Sequence, residues 1–176
     1  MPTYSSVSSQ GNDLTSQVAV QEKCLMMIDS EILQQVVNDV CSGMLGLHME
    51  PSEEFMCEDT DALSAIIRIS GGWDSLVQVL TPRKTAIAIA SNMFAMDEDQ
   101  LSEAEIRDAV GEIVNMVGGN LKGIVEGESS LSLPCVGESN GRAPFDSSFS
   151  GLSVSNRCQG DTLIVRLLDR GVAVST

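Results

Sequence analysis

Residues 102–126 read SEAEIRDAVGEIVNMVGGNLKGIVE. Ser102 with Glu105 three positions later is the pattern of a capping box, in which each residue satisfies an otherwise unpaired N–H of the other. Ile106, Val110, Ile113, Val114, Val117, Leu121 and Ile124 then recur at helical spacing. The pattern predicts one long helix, about 37 Å at 1.5 Å per residue, with a single apolar stripe. Such a stripe needs a broad apolar surface to lie on, and the flanking sequence supplies strands.

Upstream, Ala62 to Ser70 (ALSAIIRIS) reads as a strand, Gly71-Gly72 as a turn and Leu76 to Leu80 as the hairpin partner. Thr81-Pro82 reads as an N-cap with proline at the first helical position. The following TAIAIASNMF (85–94) alternates like a strand, but its alanines and the preceding cap favour a second helix. Further upstream, Ile32, Leu33, Val36, Val37, Val40 and Met44 predict a helix capped by Asp29 or Ser30 and stopped at Gly46 or Pro51. Downstream, Leu131-Ser132-Leu133 reads as a short strand and residues 137–150 as a Gly/Ser/Asn/Pro-rich loop. Leu152–Ser155 and Thr162–Leu168 read as two strands about Gly160-Asp161. The sum is α+β: a largely antiparallel β-sheet with long helices packed on it. Residues 1–24, rich in Ser, Gln, Gly and Thr, read as a flexible leader, and 25–176 as a single domain.

Composition removes several functions. Ten Lys+Arg against 25 Asp+Glu give a net charge of −15, which repels nucleic-acid backbones and anionic membrane surfaces. No run of about 18 apolar residues is present, so membrane insertion is not expected. Five cysteines, odd in number and without a CxxC pair, read as reduced, mostly packed thiols of a cytoplasmic protein. One histidine cannot build a multi-histidine metal site, and neither a GxSxG elbow nor a P-loop occurs. No metal or cofactor is expected on this chain.

Chemistry is therefore sought on the long helix. At 100° per residue from Ile106, the residues Val110, Ile113, Val117 and Leu121 fall within about 60° of zero. Asp108, Glu112, Asn115 and Gly119 fall between about 180° and 240°. One reading is the solvated face of an amphipathic helix; the other is a carboxylate and a carboxamide aimed together at a neighbour's cleft. Gly111, Gly118, Gly119 and Gly123 lie off the apolar stripe, and each costs about 0.5–1 kcal/mol relative to alanine. Gly111 and Gly118 suggest close approach by another helix, packing on the first helix being the simpler form of it. Gly119 suggests close approach by a partner.

Asp108-AVG-Glu112-IV-Asn115 resembles the Asp/Ser-x3-Glu-x2-Asn pattern of the CheC/CheX/FliY chemotaxis phosphatases. The surroundings are similar too: DAVGEIVNMVGGNLKG (108–123), the acidic turn DEDQLSEAEI before it, IIRISGGWDSLVQVLTPRKTAIAIASNMFAM (66–96) and VVNDVCSGMLGLHMEP (36–51). The likeness runs over roughly residues 25 to 170. CheC-type members carry the Glu/Asn pair on two helices and CheX-type members on one. The first helix offers only Glu31 and Asn38, at the wrong spacing, so the chain looks like the CheX type.

That resemblance implies a phosphatase acting on the aspartyl-phosphate of a CheY-like receiver domain. Asn115 would orient the attacking water and Glu112 would pair with the receiver's lysine. The Mg²⁺ would sit on the phosphorylated receiver. Pro134 matches the motif's trailing proline, and is otherwise an ordinary strand-end proline. Asp108 either touches the partner or is a solvated helix charge. The resemblance also implies a homodimer. The alternative function is a non-catalytic receiver-binding or scaffold module of the same fold. Among the rest, His48 reads as a surface residue and Trp73 as a partly covered loop tryptophan or an interface anchor. Met26, Met27, Met44, Met93, Met96 and Met116 read as flexible core packing.

Overall fold

The first described helix starts at a cap. Asp29 Oδ1 accepts a 2.8 Å hydrogen bond from the Ile32 N–H and starts helix α1, Ser30–Asn38, which buries Leu33, Val36 and Val37. The computed structural model describes residues 27–54, 61–125, 127–139, 149–158 and 160–170. The 1–24 leader, Cys24, Cys57 and Met26 lie outside them. Helix α1 continues as a π-helical turn, Asp39–Met44, that buries Val40 and Cys41 but leaves Met44 58% exposed, contrary to the packing role expected of that methionine. Gly46 then leaves the helix at φ +64°, a left-handed conformation that glycine adopts without strain.

Strand β1, Met49–Ser52, was not expected, because Pro51 reads as a helix stop. It forms on the outermost edge of the sheet, pairing Pro51 with Asn156, and an edge strand is where a residue without an N–H is tolerated. Strands β2, Ala62–Gly71, and β3, Ser75–Pro82, make the expected hairpin in the register Ala62↔Pro82 to Ile69↔Ser75. At its turn, Gly71 takes φ +117°, and a Cβ there would stand 2.5 Å from the Glu128 carbonyl oxygen. Trp73, in the same turn, is 1% exposed and belongs to the core, not to an interface or a half-covered loop.

Thr81 does not cap helix α2, Arg83–Phe94. The strand runs through Thr81 and Pro82, Pro82 occupies the cap position, and no side chain caps the first turn. Pairing with β2 wins over local capping because Thr81 is fully buried opposite Leu63. A 3₁₀ turn, Glu98–Gln100, leads into helix α3, Glu103–Ile124, which carries the expected capping box. Beyond it come β4, Ser129–Leu131, β5, Cys135–Ser139, β6, Phe149–Cys158, and β7, Asp161–Arg170. Strand β5 falls partly in the segment read as a loop, and the strand expected at 131–133 ends at Leu131.

The seven strands form one antiparallel sheet in the order β1-β6-β7-β3-β2-β4, with β5 pairing the same edge of β2 as β4. Leu63, Ala65, Ile67 and Ile69 of β2, Val77 and Val79 of β3, and Leu163, Val165 and Leu167 of β7 share one core with the helices. Helix α3 contributes Ile106, Val110, Ile113, Val114, Val117 and Leu121, the stripe read from the sequence. Among the described residues no helix is long and apolar enough to cross a membrane.

Candidate functional site

Helix α3 is fixed first at its N-terminal end. Glu105 Oε2 accepts hydrogen bonds of 2.7 Å from the Ser102 N–H and 2.7 Å from its hydroxyl, and the Glu105 N–H returns a bond to Ser102 Oγ. Those bonds hold the Glu105 carboxyl below its ordinary range, the hydroxyl contact being the larger cause. Arg83 at the start of α2 donates to Glu103 at 2.6 Å and to Asp61 at 2.8 Å. Arg107 donates to Glu103 at 2.8 Å and to the Val136 carbonyl at 3.2 Å. The first turns of α3 are thereby tied to α2, to the chain entering β2 and to β5. The Arg83 contact, helped by Arg107, lowers the Glu103 pKa against the opposing effect of burial.

The side of α3 next to the apolar stripe rests on strands rather than on another helix. A Cβ on Gly118 would stand 3.0 Å from Ile67 Cγ2 and 3.5 Å from Leu131 Cδ2. One on Gly111 would stand 3.3 Å from Val136 Cγ2 and 3.7 Å from Pro134 Cγ. Both glycines let the helix sink onto β2, β4 and β5, which corrects the expectation of a helix–helix approach. Gly119 and Gly123 meet nothing within 4 Å.

The side away from the apolar stripe carries the candidate residues. Asp108, Glu112 and Gly119 are exposed and Asn115 is half-buried, in one stripe along the helix. None of Asp108, Glu112 and Asn115 makes a hydrogen bond or ion pair among the described residues. The contrast with nearby amides is informative. Asn120 Nδ2 donates to the Met116 carbonyl of its own helix at 2.9 Å, and Asn38 Oδ1 accepts from Gln34 at 3.0 Å. Asn115 keeps donor and acceptor for something else.

Pro134 is brought to this face from far along the chain. Between Ile66↔Cys135 and Ile69↔Leu131, two residues of β2 face three residues, Ser132, Leu133 and Pro134. That is a β-bulge, and it resets the alternation of side chains so that both Leu131 and Val136 reach α3. Pro134 lies against Gly111, immediately before Glu112. The bulge was missed because no local residue pattern marks it; it shows only in the two registers on β2. Pro134 is exposed, and Leu133 beside it is 89% exposed.

The stripe lies on the outward face of α3. Two clefts, about 420 Å³ between α1 and the β1/β6 edge and about 250 Å³ around Asp61, Arg83 and Lys84, include none of Asp108, Glu112 and Asn115. Among the described residues no group of three or more His, Cys, Asp or Glu could hold a metal ion. The carboxylate–carboxamide pair therefore lies outside both of these clefts.

The family model for the chemotaxis phosphatase CheX matches residues 63–147, from β2 past β5, a span that contains Asp108, Glu112, Asn115, Gly119 and Pro134. Over that span the chain is similar to CheX. Its structure is similar to the chemotaxis protein CheX from Vibrio vulnificus at 22% identity and TM-score 0.64, covering 77% of this chain and 92% of that one. CheX from Desulfovibrio desulfuricans matches at 18% identity and TM-score 0.63, covering 80% and 98%. A CheX–CheY–BeF3–Mg²⁺ complex from Borrelia burgdorferi matches at 18% identity and TM-score 0.58, covering 80% and 97%. At these identities the structural likeness is one of fold. No curated protein gives a significant match.

Proposed function

We propose that this chain is a phosphatase acting on the aspartyl-phosphate of a CheY-like receiver domain, and that the Asp108–Glu112–Asn115 ridge of α3 is the part that enters the receiver. The observation that carries the reading is the pair Glu112 and Asn115, three residues apart on the outward face of a helix pinned at its start, with both side chains uncommitted. The CheX family match over the same residues supports the reaction class, and the CheX–CheY complex from Borrelia burgdorferi supports the kind of partner.

Hydrolysis of an acyl phosphate needs water aligned opposite the bond that breaks, and stabilisation of charge on the departing carboxylate. The receiver brings the phosphoryl group, its Mg²⁺ and a lysine. In this reading Asn115 accepts from the water with its carbonyl and donates through its NH₂ toward the phosphoryl oxygens, so the water is held in line. The water oxygen bonds to phosphorus, the P–O bond to the aspartate breaks, and inorganic phosphate leaves with a restored carboxylate. A carboxamide does this without titrating. Glu112, one turn earlier, pairs with the receiver's lysine and sets the register. Pro134 flanks them and limits how deep the ridge enters. Gly119 keeps the next turn bare. In this reading neither a metal nor a nucleophile is asked of the chain itself.

The experiment is the lifetime of a phosphorylated receiver with and without the chain. Wild type shortens it and Asn115→Ala does not, while a receiver-binding titration stays near wild type. If both proteins shorten it equally the assignment of Asn115 fails. If the receiver binds but wild type never shortens the lifetime, the chain is a binding module. In the same reading the working unit is a cytoplasmic homodimer, and a monomer mass in sedimentation would refute that part.

A further inference from the structure

We propose that Leu133, on the bulge between β4 and β5, is the apolar anchor that selects and holds the receiver docked on the Glu112–Asn115 ridge. This rests on the functional reading above and adds to it the residue that supplies binding energy. Leu133 is 89% exposed, against 58% for Met44 and 39% for Phe94, the other exposed large hydrophobics among the described residues. It does not dangle. The Ser132 N–H donates to the Arg68 carbonyl at 2.9 Å, and the Arg68 N–H donates to Ser132 Oγ at 3.0 Å. The Ser132 hydroxyl donates to the Leu133 carbonyl at 2.9 Å. On the other side Pro134 rests on α3 at Gly111 and Cys135 rejoins the ladder opposite Ile66. A leucine held on both sides gives up little further backbone freedom when it is covered.

Its place says what covers it. Pro134, the next residue, touches α3 one position before Glu112, and Asn115 is four residues beyond Gly111, about 6 Å along the axis. A partner that receives Asn115 while resting on Pro134 is placed to meet Leu133 as well. Charge makes such a contact necessary. The ridge carries Asp108 and Glu112 on a chain of net charge −15, and it must approach an anionic phosphoryl group. The net charge of the chain gives no long-range attraction toward that phosphoryl group. The run Ser132-Leu133-Pro134-Cys135 is uncharged and lies beside the acidic stripe, so burial of the leucine against an apolar patch bordering the receiver's phosphorylation site provides affinity without adding repulsion. Receivers that present a charge or a polar loop there are rejected.

The test uses the full chain with receiver domains of the same organism, reading affinity on the beryllofluoride–Mg²⁺ form and single-turnover hydrolysis on the phosphorylated form. Leu133→Ala weakens binding about tenfold and Leu133→Asp about 100-fold or more, while the rate at saturating enzyme stays at the wild-type value. Thermal midpoints stay unchanged, because the side chain is outside the core. Wild-type affinity for Leu133→Asp, with hydrolysis still lost in Asn115→Ala, overturns the anchor and leaves the phosphatase reading intact. Weakened binding for Leu133→Asp with full activity in Asn115→Ala does the reverse. Binding of no receiver by wild type overturns both. A dimer split by Leu133→Asp with receiver affinity unchanged gives Leu133 to self-association and overturns the anchor.

Discussion

Gly118 and Gly119 are neighbours on α3, and alanine at the two positions should move stability in opposite directions. Alanine in a helix interior gains about 0.5–1 kcal/mol over glycine at either position. At Gly119 nothing lies within 4 Å of the new Cβ, so the gain is realised in full. At Gly118 the Cβ would stand 3.0 Å from Ile67 Cγ2, with Leu131 Cδ2 at 3.5 Å. Ile67 is fully buried in the middle of β2 and branched at Cβ, so its methyl has no low-energy rotamer to retreat into. Overpacking of that kind costs about 1–3 kcal/mol, which exceeds the propensity gain. In a chain of this size Gly119→Ala should raise the melting temperature by about 1–4 °C and Gly118→Ala should lower it by up to about 10 °C. Urea unfolding of the two variants reads the difference directly. The more stable one should be the poorer docker: a methyl at position 119 meets no atom of its own chain, so weakened receiver binding by Gly119→Ala, and more by Gly119→Leu, comes from the partner. Equal stability changes would refute the account of how α3 sits on the sheet, and full receiver binding by Gly119→Leu would refute the ridge as the docking face.

Glu103 and Glu105 have folded pKa values below the ordinary 4.5, so each contributes stability that is present above that value and lost as pH falls below it through the lowered folded pKa. Glu103→Gln should therefore flatten the acid limb of stability against pH without moving the neutral plateau upward, and Ser102→Ala should lower the melting temperature by about 2–4 °C. Trp73, the one tryptophan, is buried at the β2–β3 turn, so native emission should be blue-shifted and move red on unfolding; Trp73→Ala should cost about 3–5 kcal/mol. Burial raises the Cys41 thiol to about 12 and the Cys158 thiol to about 11, while Cys135 is exposed. Peptide mapping after alkylation of the native chain should find Cys135 modified and the other two protected until denaturant is added.

Where a side chain answers to its own neighbours along the chain, the sequence was readable. The capping box at Ser102, the seven-residue apolar stripe of α3, the β2–β3 hairpin and the Asp29 cap all depend on residues within a few positions of each other, and all are present. The candidate residues share one face of α3 for the same reason. What escaped was decided by distant partners. Thr81 pairs across to Leu63 instead of capping α2, and β1 exists because β6 offers it an edge. Trp73 enters the core because the turn folds against Glu128, where the Gly72 N–H donates at 2.9 Å. Gly111 and Gly118 announced a close contact, but only the sheet registers show that the contact is with strands. Leu133 carried no local signal at all: its exposure follows from one extra residue opposite β2.

Single-turnover dephosphorylation of a receiver by saturating Asn115→Ala, with affinity measured in parallel on the beryllofluoride form, isolates the amide from everything else on the ridge. Loss of about 100-fold or more in rate with affinity within a few-fold of wild type is the outcome expected of a group that only positions water. A rate equal to wild type at full occupancy would contradict it, since the water would then be held by something other than Asn115.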